Sequence, residues 1–447
     1  MTIHFEGKRG ATAPLTWAQR RTCRGSRLKH RPFVYVQSVP PGKGIREVGD
    51  AVRWAFEEFE TLRTLFPSGV DGVHYQKVEK IGSVDILTIP TEGSSVAADI
   101  QSAIRRLKGE RFDIATEFGA LFAVVTCADV PTHLICLVSH LAVDGHGCRE
   151  LGAALDGHFS GKRDLSSAPL MQPVDRAQLE QSAKWQEKSA RSLEYWNSVL
   201  ERLPQDGARS AVMDSCALSA AVSVISKKYA KSTSVVYLAA VSVVAGALIG
   251  RAASSFLLPA ANRLNLEERS FVGELVQFAP GVLESLDMSF DAIVDDAWKE
   301  SVKGYRFSRY DEQALQLMLT DLDEGRECKR AFDLSFNDAR SSTEEGSYRR
   351  AVEKIPDLAK RTKIELREHV YQGGSRFLSF AVRDDDSQKI SVAVHDSYFP
   401  EFSVRRILLA IEALAVGVAT GNAEPLTHPL RFVRNYLTSR SPDVATA

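Results

Sequence analysis

The chain has 447 residues, 44% hydrophobic and 25% charged, with 56 Lys and Arg against 57 Asp and Glu. This length suits two medium domains with full cores, and the near-neutral balance argues against a nucleic-acid surface built on bulk charge. Cys23, Cys127, Cys136, Cys148, Cys216 and Cys328 are scattered without a C-x-x-C pair, which argues against a zinc site and suits reduced thiols in the cytoplasm.

From the start, Met1 to Gly10 is polar and lacks the apolar core of a secretory signal, so the expected location is cytoplasmic. Lys8, Arg9, Arg20, Arg21, Arg24, Arg27, Lys29 and Arg31 form a basic cluster, either a solvated face or a dock for an acidic partner. Phe33 to Val39 reads as a strand. Val48, Val52, Ala55, Phe56, Phe59, Leu62 and Leu65 recur at helical spacing, so one helix is expected over Arg46 to Phe66. Leu121 to Cys127 and His133 to Val138 read as paired strands with a turn at Asp129-Val130-Pro131-Thr132, and an amphipathic helix begins near Gly147.

Between Phe159 and Gln181 the periodicity breaks at Gly, Lys, Ser, Pro and Asp, which marks a linker and divides the chain into 1–175 and 176–447. A long polar helix then runs through Trp196. Ser232 to Gly250 carries no charge, but its Ser, Ala and Gly content favours a buried helix over a membrane span. Strands follow near Phe377 to Val382 and Ile390 to Val394, with a final helix from Phe402 to Val418. The mixed pattern is that of an α/β protein.

The stretch that carries chemistry is Ser139-His140-Leu141-Ala142-Val143-Asp144-Gly145, a short loop between an apolar strand and a helix. An amine or alcohol must be neutral to act as a nucleophile, whereas a free ammonium near pKa ~8 is mostly protonated at neutral pH. A histidine titrates in the right range to remove such a proton, which singles out His140. Gly145 is expected to allow a backbone conformation that a side chain would obstruct, with its N–H facing a developing oxyanion. The chain lacks a G-x-S-x-G elbow, a Cys/His nucleophile signature, zinc-type spacing and a phosphate-binding glycine loop. Direct attack without an acyl-enzyme, and without a metal, fits better.

The H-x-x-x-D-G spacing resembles the signature of nonribosomal peptide synthetase condensation domains, and other segments resemble the same family in the same order. Pro14-Leu15-Thr16-Trp17-Ala18-Gln19-Arg20 is similar to the opening P-L-S-x-A-Q-x-R segment, and Glu60-Thr61-Leu62-Arg63-Thr64-Leu65-Phe66, followed by Asp71-Gly72, to the H-E-x-L-R-T-x-F helix end. Arg111-Phe112-Asp113 resembles the P-F-D turn, Tyr195-Trp196 the pair after the interlobe linker, Phe271 to Pro280 the x-x-G-x-F-x-N-x-x-P segment and Leu334-Ser335-Phe336-Asn337 the late F-N strand. The run Val394 to Phe402 resembles the closing element.

The resemblance implies two chloramphenicol acetyltransferase-like lobes forming a V, with the site in a tunnel at their junction. It implies that His140 is catalytic, that Asp144 pairs with Arg63 to hold the loop, and that Ser139, His146, Asn337 and Gln277 are tunnel candidates. Arg263, at the family's G-R position, would orient substrate or form a structural ion pair. It implies no bound cofactor, a phosphopantetheine arm presented in trans by an acyl or peptidyl carrier protein, and a carrier-bound or small acceptor. Nucleic acid and membrane are not expected partners. Acyl-CoA-dependent transfer to a small alcohol, and a non-catalytic recruitment platform, are the alternatives. The sequence departs from the pattern at Ser139, where many members have a first histidine, at His146 and at Gln277, where Asn is usual. The H-Q-x-x-P-F segment is not recognisable around Tyr305 to Leu315.

Overall fold

The computed structural model describes residues 1–24, 32–91, 96–109, 113–161, 171–200, 209–323, 332–340, 354–366, 376–383, 389–394 and 404–439. They form two compact units: Met1–Ala190 with Ala261–Gln277 and Arg309–Gln316, and Arg191–Ala260 with Phe278–Ser308 and Leu317–Ala447. A single division after residue 175 does not describe this arrangement, because that point falls within the helix Pro173–Glu180. From that helix Arg176 donates to Glu180 at 2.8 Å and to Glu268 at 3.1 Å, while Arg309 reaches Glu268 at 2.7 Å, all buried. Charges out of water must be paired, so the helix and both later segments are held in one unit.

The first unit contains β1 (Thr2–Glu6), β2 (Ala11–Pro14), α1 (Trp17–Arg24), β3 (Pro32–Ser38), α2 (Ile45–Glu58), β4 (Thr64–Leu65), β5 (Tyr75–Val78) and β6 (Ile81–Thr91). It continues with α3 (Val96–Gly109), β7 (Ala120–Cys127), β8 (Val130–Ser139), α4 (Gly145–Ser160), α5 (Pro173–Glu180) and the start of α6 (Ala183–Leu200). Its main sheet runs β1-β6-β7-β8-β3, and a smaller one β2-β5-β4. Strand alternation explains why β7 and β8 read as continuous apolar runs. Phe122, Val124, Leu134, Cys136 and Val138 enter one core with α2 and α4, whereas Ala123, Val125, Ile135 and Leu137 enter a second core on the other face. The hairpin turns at Ala128 and Asp129, both left-handed (φ 47° and 64°), as a twisted two-residue turn requires, so β8 starts earlier than the sequence suggests.

The single helix expected over Arg46 to Phe66 is three elements. α2 ends at Glu58, Phe59 is extended, a 3-10 turn covers Glu60–Arg63, and β4 follows. Phe59 and Leu62 stay buried through the turn, which preserves the helical-looking spacing without the helix. The described members of the basic cluster are paired with carboxylates: Lys8 with Glu58, Arg9 with Glu60 and Asp175, Arg20 with Asp311, Arg21 with Glu274 and Arg24 with Glu312. Arg27, Lys29 and Arg31 lie outside the described residues, as do Arg111, Phe112 and His395 to Phe402.

The second unit contains β9 (Arg209–Asp214), α7 (Cys216–Tyr229), α8 (Thr233–Ile249), β10 (Ser254–Ala260), β11 (Gln277–Leu283), α10 (Phe290–Arg306), β12 (Phe332–Asp338), α12 (Ile355–Ala359), β13 (Lys363–Leu366), β14 (Arg376–Arg383), β15 (Lys389–Val394), α13 (Val404–Ala419), α14 (Ala423–Thr427) and α15 (Pro429–Thr438). The short α9 (Leu266–Arg269) and the start of α11 (Glu312–Asp323) belong to the first unit. The sheet order is β11-β10-β12-β14-β15-β9-β13, with β10, β12 and β14 parallel. α8 is the uncharged helix, capped by Ser232 and by left-handed Gly250, and most of it is buried in the unit's core. Among the described residues no single helix is long and apolar enough to cross a membrane; α7 and α8 reach that length only together, across a 110° bend. α13 is not the last helix: left-handed Gly421 turns the chain, and Pro429 opens α15.

Candidate active site

β8 delivers the loop. The Ser139 amide donates to Gly119 O at 2.7 Å, and the Ser139 carbonyl accepts from Ala142 and Val143, which folds the chain over at the strand end. Helix α4 then begins at Gly145, two residues before its expected start, because Asp144 is its N-cap: Asp144 Oδ1 accepts from the Gly147 amide at 2.7 Å. The loop thereby places His140 in the gap between strand and helix.

Asp144 Oδ2 accepts from Arg263 Nη1 at 2.7 Å and from the Leu275 amide at 2.9 Å. The expected Asp144–Arg63 pair is therefore replaced by Asp144–Arg263. Arg63 is buried and spends its guanidinium on the carbonyls of Phe56 (2.9 Å), Arg9 (2.7 Å) and Glu79 (2.8 Å), holding the 3-10 turn closed. Arg263 Nη2 also donates to Gly273 O at 3.1 Å, so Asp144 and Arg263 together bind the His140 loop to segment Phe271–Gln277.

That segment brings Glu274 to His140. Glu274 Oε2 lies 2.7 Å from His140 Nδ1, with the glutamate side chain fully inaccessible and the histidine 17% exposed. Glu274 Oε1 accepts from the Val276 amide at 3.1 Å and lies 3.5 Å from Arg21 Nη2, whose Nε donates to Val276 O. The Phe33 ring packs on His140 with centroids 4.7 Å apart. Burial pushes the His140 imidazolium down, but its hydrogen bond to Glu274 and the carboxylate charge outweigh this and hold it above the usual histidine value. Cys136 and Cys148, in the core beside the loop, are both raised by burial, Cys148 to about 11, so neither is a thiolate nucleophile at neutral pH.

The remaining candidates separate. Ser139 is buried, its Oγ accepting from the Leu141 amide. Gly145 is not left-handed; a Cβ there would meet the Phe33 ring at 3.4 Å, so its constraint is packing rather than backbone conformation. Gly147 is the tighter glycine, since a Cβ would come within 2.8 Å of Gly273 O. His146 Nε2 is engaged by Arg269 O at 3.1 Å. Gln277 is buried and donates to Tyr310 O at 2.7 Å, which ties two segments together. Asn337 is exposed near the end of β12 and belongs to the second unit. Glu274 was not singled out in the sequence; its one signal is a lone carboxylate within the apolar run Phe271 to Pro280.

A family model described as Condensation domain matches residues 10–378. The isonitrile lipopeptide synthase of Mycobacterium tuberculosis is 29% identical over 214 residues, covering 44% of this chain and 8% of that protein, so the chain spans a small fraction of this relative. Among solved structures, the condensation domain of the monacolin K polyketide synthase MokA matches with a TM-score of 0.69 at 14% identity, covering 94% of this chain and 99% of the other. A mutant starter condensation domain of rhizomide synthetase RzmA, in complex with C8-CoA and Leu-SNAC, matches with a TM-score of 0.67 at 14% identity, covering 94% and 96%. At such identities the likeness to the solved structures is one of fold.

Proposed function

Because this chain belongs to the condensation-domain family, we propose that it is an acyltransferase joining a carrier-bound acyl or aminoacyl thioester to an amine or hydroxyl acceptor. The acceptor attacks the thioester carbonyl, the tetrahedral intermediate loses the thiolate, and the acceptor's proton leaves with the released thiol. His140 handles that proton. The observation that carries this reading is an imidazole on a loop fixed at both ends, with its Nδ1 engaged by Glu274, which holds its pKa above the usual histidine value. Raised thiols at Cys136 and Cys148 support direct attack rather than an acyl-enzyme.

No cofactor is assigned to the chain itself; the phosphopantetheine arm belongs to an acyl or peptidyl carrier protein acting in trans, in natural-product biosynthesis in the cytoplasm. An acyl-CoA donor is the second reading, motivated by the C8-CoA complex of the RzmA starter domain. The test is free-thiol release from a panel of acyl-pantetheinyl carrier proteins and acyl-CoAs, with mixed amines and alcohols, comparing wild type with His140→Ala. Release from carriers that depends on His140 supports the proposal, and release from acyl-CoA alone moves the donor to CoA. Equal release by both proteins, or none across the panel, overturns it in favour of a non-catalytic recruitment platform.

A further inference from the structure

Glu274 stands outside the H-x-x-x-D-G loop, 134 positions along the chain from His140, yet it makes that histidine's shortest polar contact. A fully buried carboxylate is costly unless several donors serve it. Glu274 has the Val276 amide and the Arg21 guanidinium on Oε1, which leaves Oε2 for His140. Both flanking donors suit an ionised carboxylate, so the His140 contact is made by an Nδ1–H donor, and the lone pair of the neutral ring is on Nε2.

We propose that Glu274 is a positioning residue that fixes the tautomer and ring orientation of His140, so that Nε2 alone faces the acceptor. This deepens the reading of His140 as the proton-handling group. The imidazole is clamped on two sides, by Glu274 at Nδ1 and by the Phe33 ring on its face, which leaves little rotational freedom. Arg21, reaching across from α1 to Glu274 and to Val276 O, holds the carboxylate in place. When Nε2 takes a proton from the attacking amine or alcohol, the imidazolium formed is stabilised by the carboxylate already bonded to Nδ1, and the proton then passes to the departing thiolate. Among the described residues, the charged groups acting on this ring are Glu274 and, at longer range and opposite in effect, Arg21; Asp144 is already committed to Arg263 and two amides.

The test reads His140 directly and needs no substrate. Nitrogen-detected imidazole NMR of the full chain, with the His140 signals identified among ten histidines by their loss in His140→Ala, gives tautomer and pKa. The proposal expects a neutral ring protonated at Nδ1 in wild type. It expects an unchanged, raised His140 pKa in Glu274→Asp and a lowered one in Glu274→Gln, with both variants folded. In thiol release, Glu274→Gln is expected to lower kcat by roughly 10²-fold or more with little change in KM. It should also move the acid limb of the pH profile to lower pH, and Glu274→Asp should recover part of the rate. A wild-type ring protonated at Nε2, or a His140 pKa indifferent to Glu274→Gln, overturns the proposal while leaving the acyltransferase reading intact. Absent thiol release in wild type sinks that reading, and the NMR result still decides the role of Glu274.

Discussion

Arg263 Nη1 lies 2.7 Å from Asp144 Oδ2, and both side chains are almost inaccessible to solvent. The pair joins α4's N-cap to the segment that carries Glu274, so it is the mechanical link between the two halves of the site. Removing one partner leaves a buried charge uncompensated, which costs about 3–5 kcal/mol. Asp144→Ala is expected at the upper end, because it also loses the cap to Gly147, worth about 1 kcal/mol. Urea midpoints of Asp144→Ala and Arg263→Met measure this; a shift within experimental error in either would show that the pair carries no stability.

Arg63 offers the contrast. Its three hydrogen bonds all end on backbone carbonyls, of Phe56 in α2 and of Arg9 and Glu79 in the connections beside β2 and β5, and none on Asp144. Arg63→Lys should destabilise by keeping the charge while losing the forked geometry. In a double-mutant cycle with Asp144→Ala it should couple by less than about 0.5 kcal/mol, whereas Arg263→Met with Asp144→Ala should couple by roughly 1–3 kcal/mol. Strong Arg63–Asp144 coupling would restore the pairing expected from the sequence.

His140→Ala tests chemistry without much fold. The ring is partly exposed, and the Glu274 carboxylate it leaves keeps the Val276 amide and Arg21, so truncation should cost less stability than loss of Asp144 or Arg263 while lowering turnover by roughly 10² to 10⁴. The pH profile has a definite sign. Glu274 outweighs burial and raises the His140 pKa in the folded state. The imidazolium–carboxylate pair therefore adds stability in full below the free-imidazole value of about 6.5, and loses it as pH rises through the folded value. Activity needs the neutral ring and runs the other way: kcat/KM should fall on the acid side at a pH above that of a free imidazole. An acid limb below that value would contradict the Glu274 contact.

What the sequence disclosed followed from local signals. The alternating runs of β7 and β8, the uncharged α8 between Ser232 and Gly250, and the His140 loop are all encoded within a few residues of themselves. The partner of Asp144 is not, because two buried arginines, Arg63 and Arg263, have the right chemistry, and only the long-range fold decides which one reaches it. Glu274 was missed for the same reason: its environment is assembled from α1, β8's end and its own segment, and the local pattern around it is that of a core strand. The α2 boundary failed differently, since a 3-10 turn closed by Arg63 keeps apolar residues at helix-like spacing.

The two glycines of the loop should behave unequally under the same substitution. At Gly145 a methyl group meets only the edge of the Phe33 ring, at 3.4 Å, and the backbone is not left-handed, so Gly145→Ala should shift stability by no more than about 1 kcal/mol, helped by alanine's helix preference. At Gly147 the methyl would sit 2.8 Å from Gly273 O and 3.0 Å from Gly273 N, against backbone that cannot swing aside like a side chain. Relief requires Gly273 to withdraw, and Glu274 withdraws with it. Gly147→Ala should therefore lower stability by roughly 1–3 kcal/mol and depress turnover beyond what stability alone explains, by loosening the His140 contact. Thermal melts and thiol release on the two variants measure this, and equal effects at both positions would mean that α4's approach to Gly273 does not set the position of Glu274.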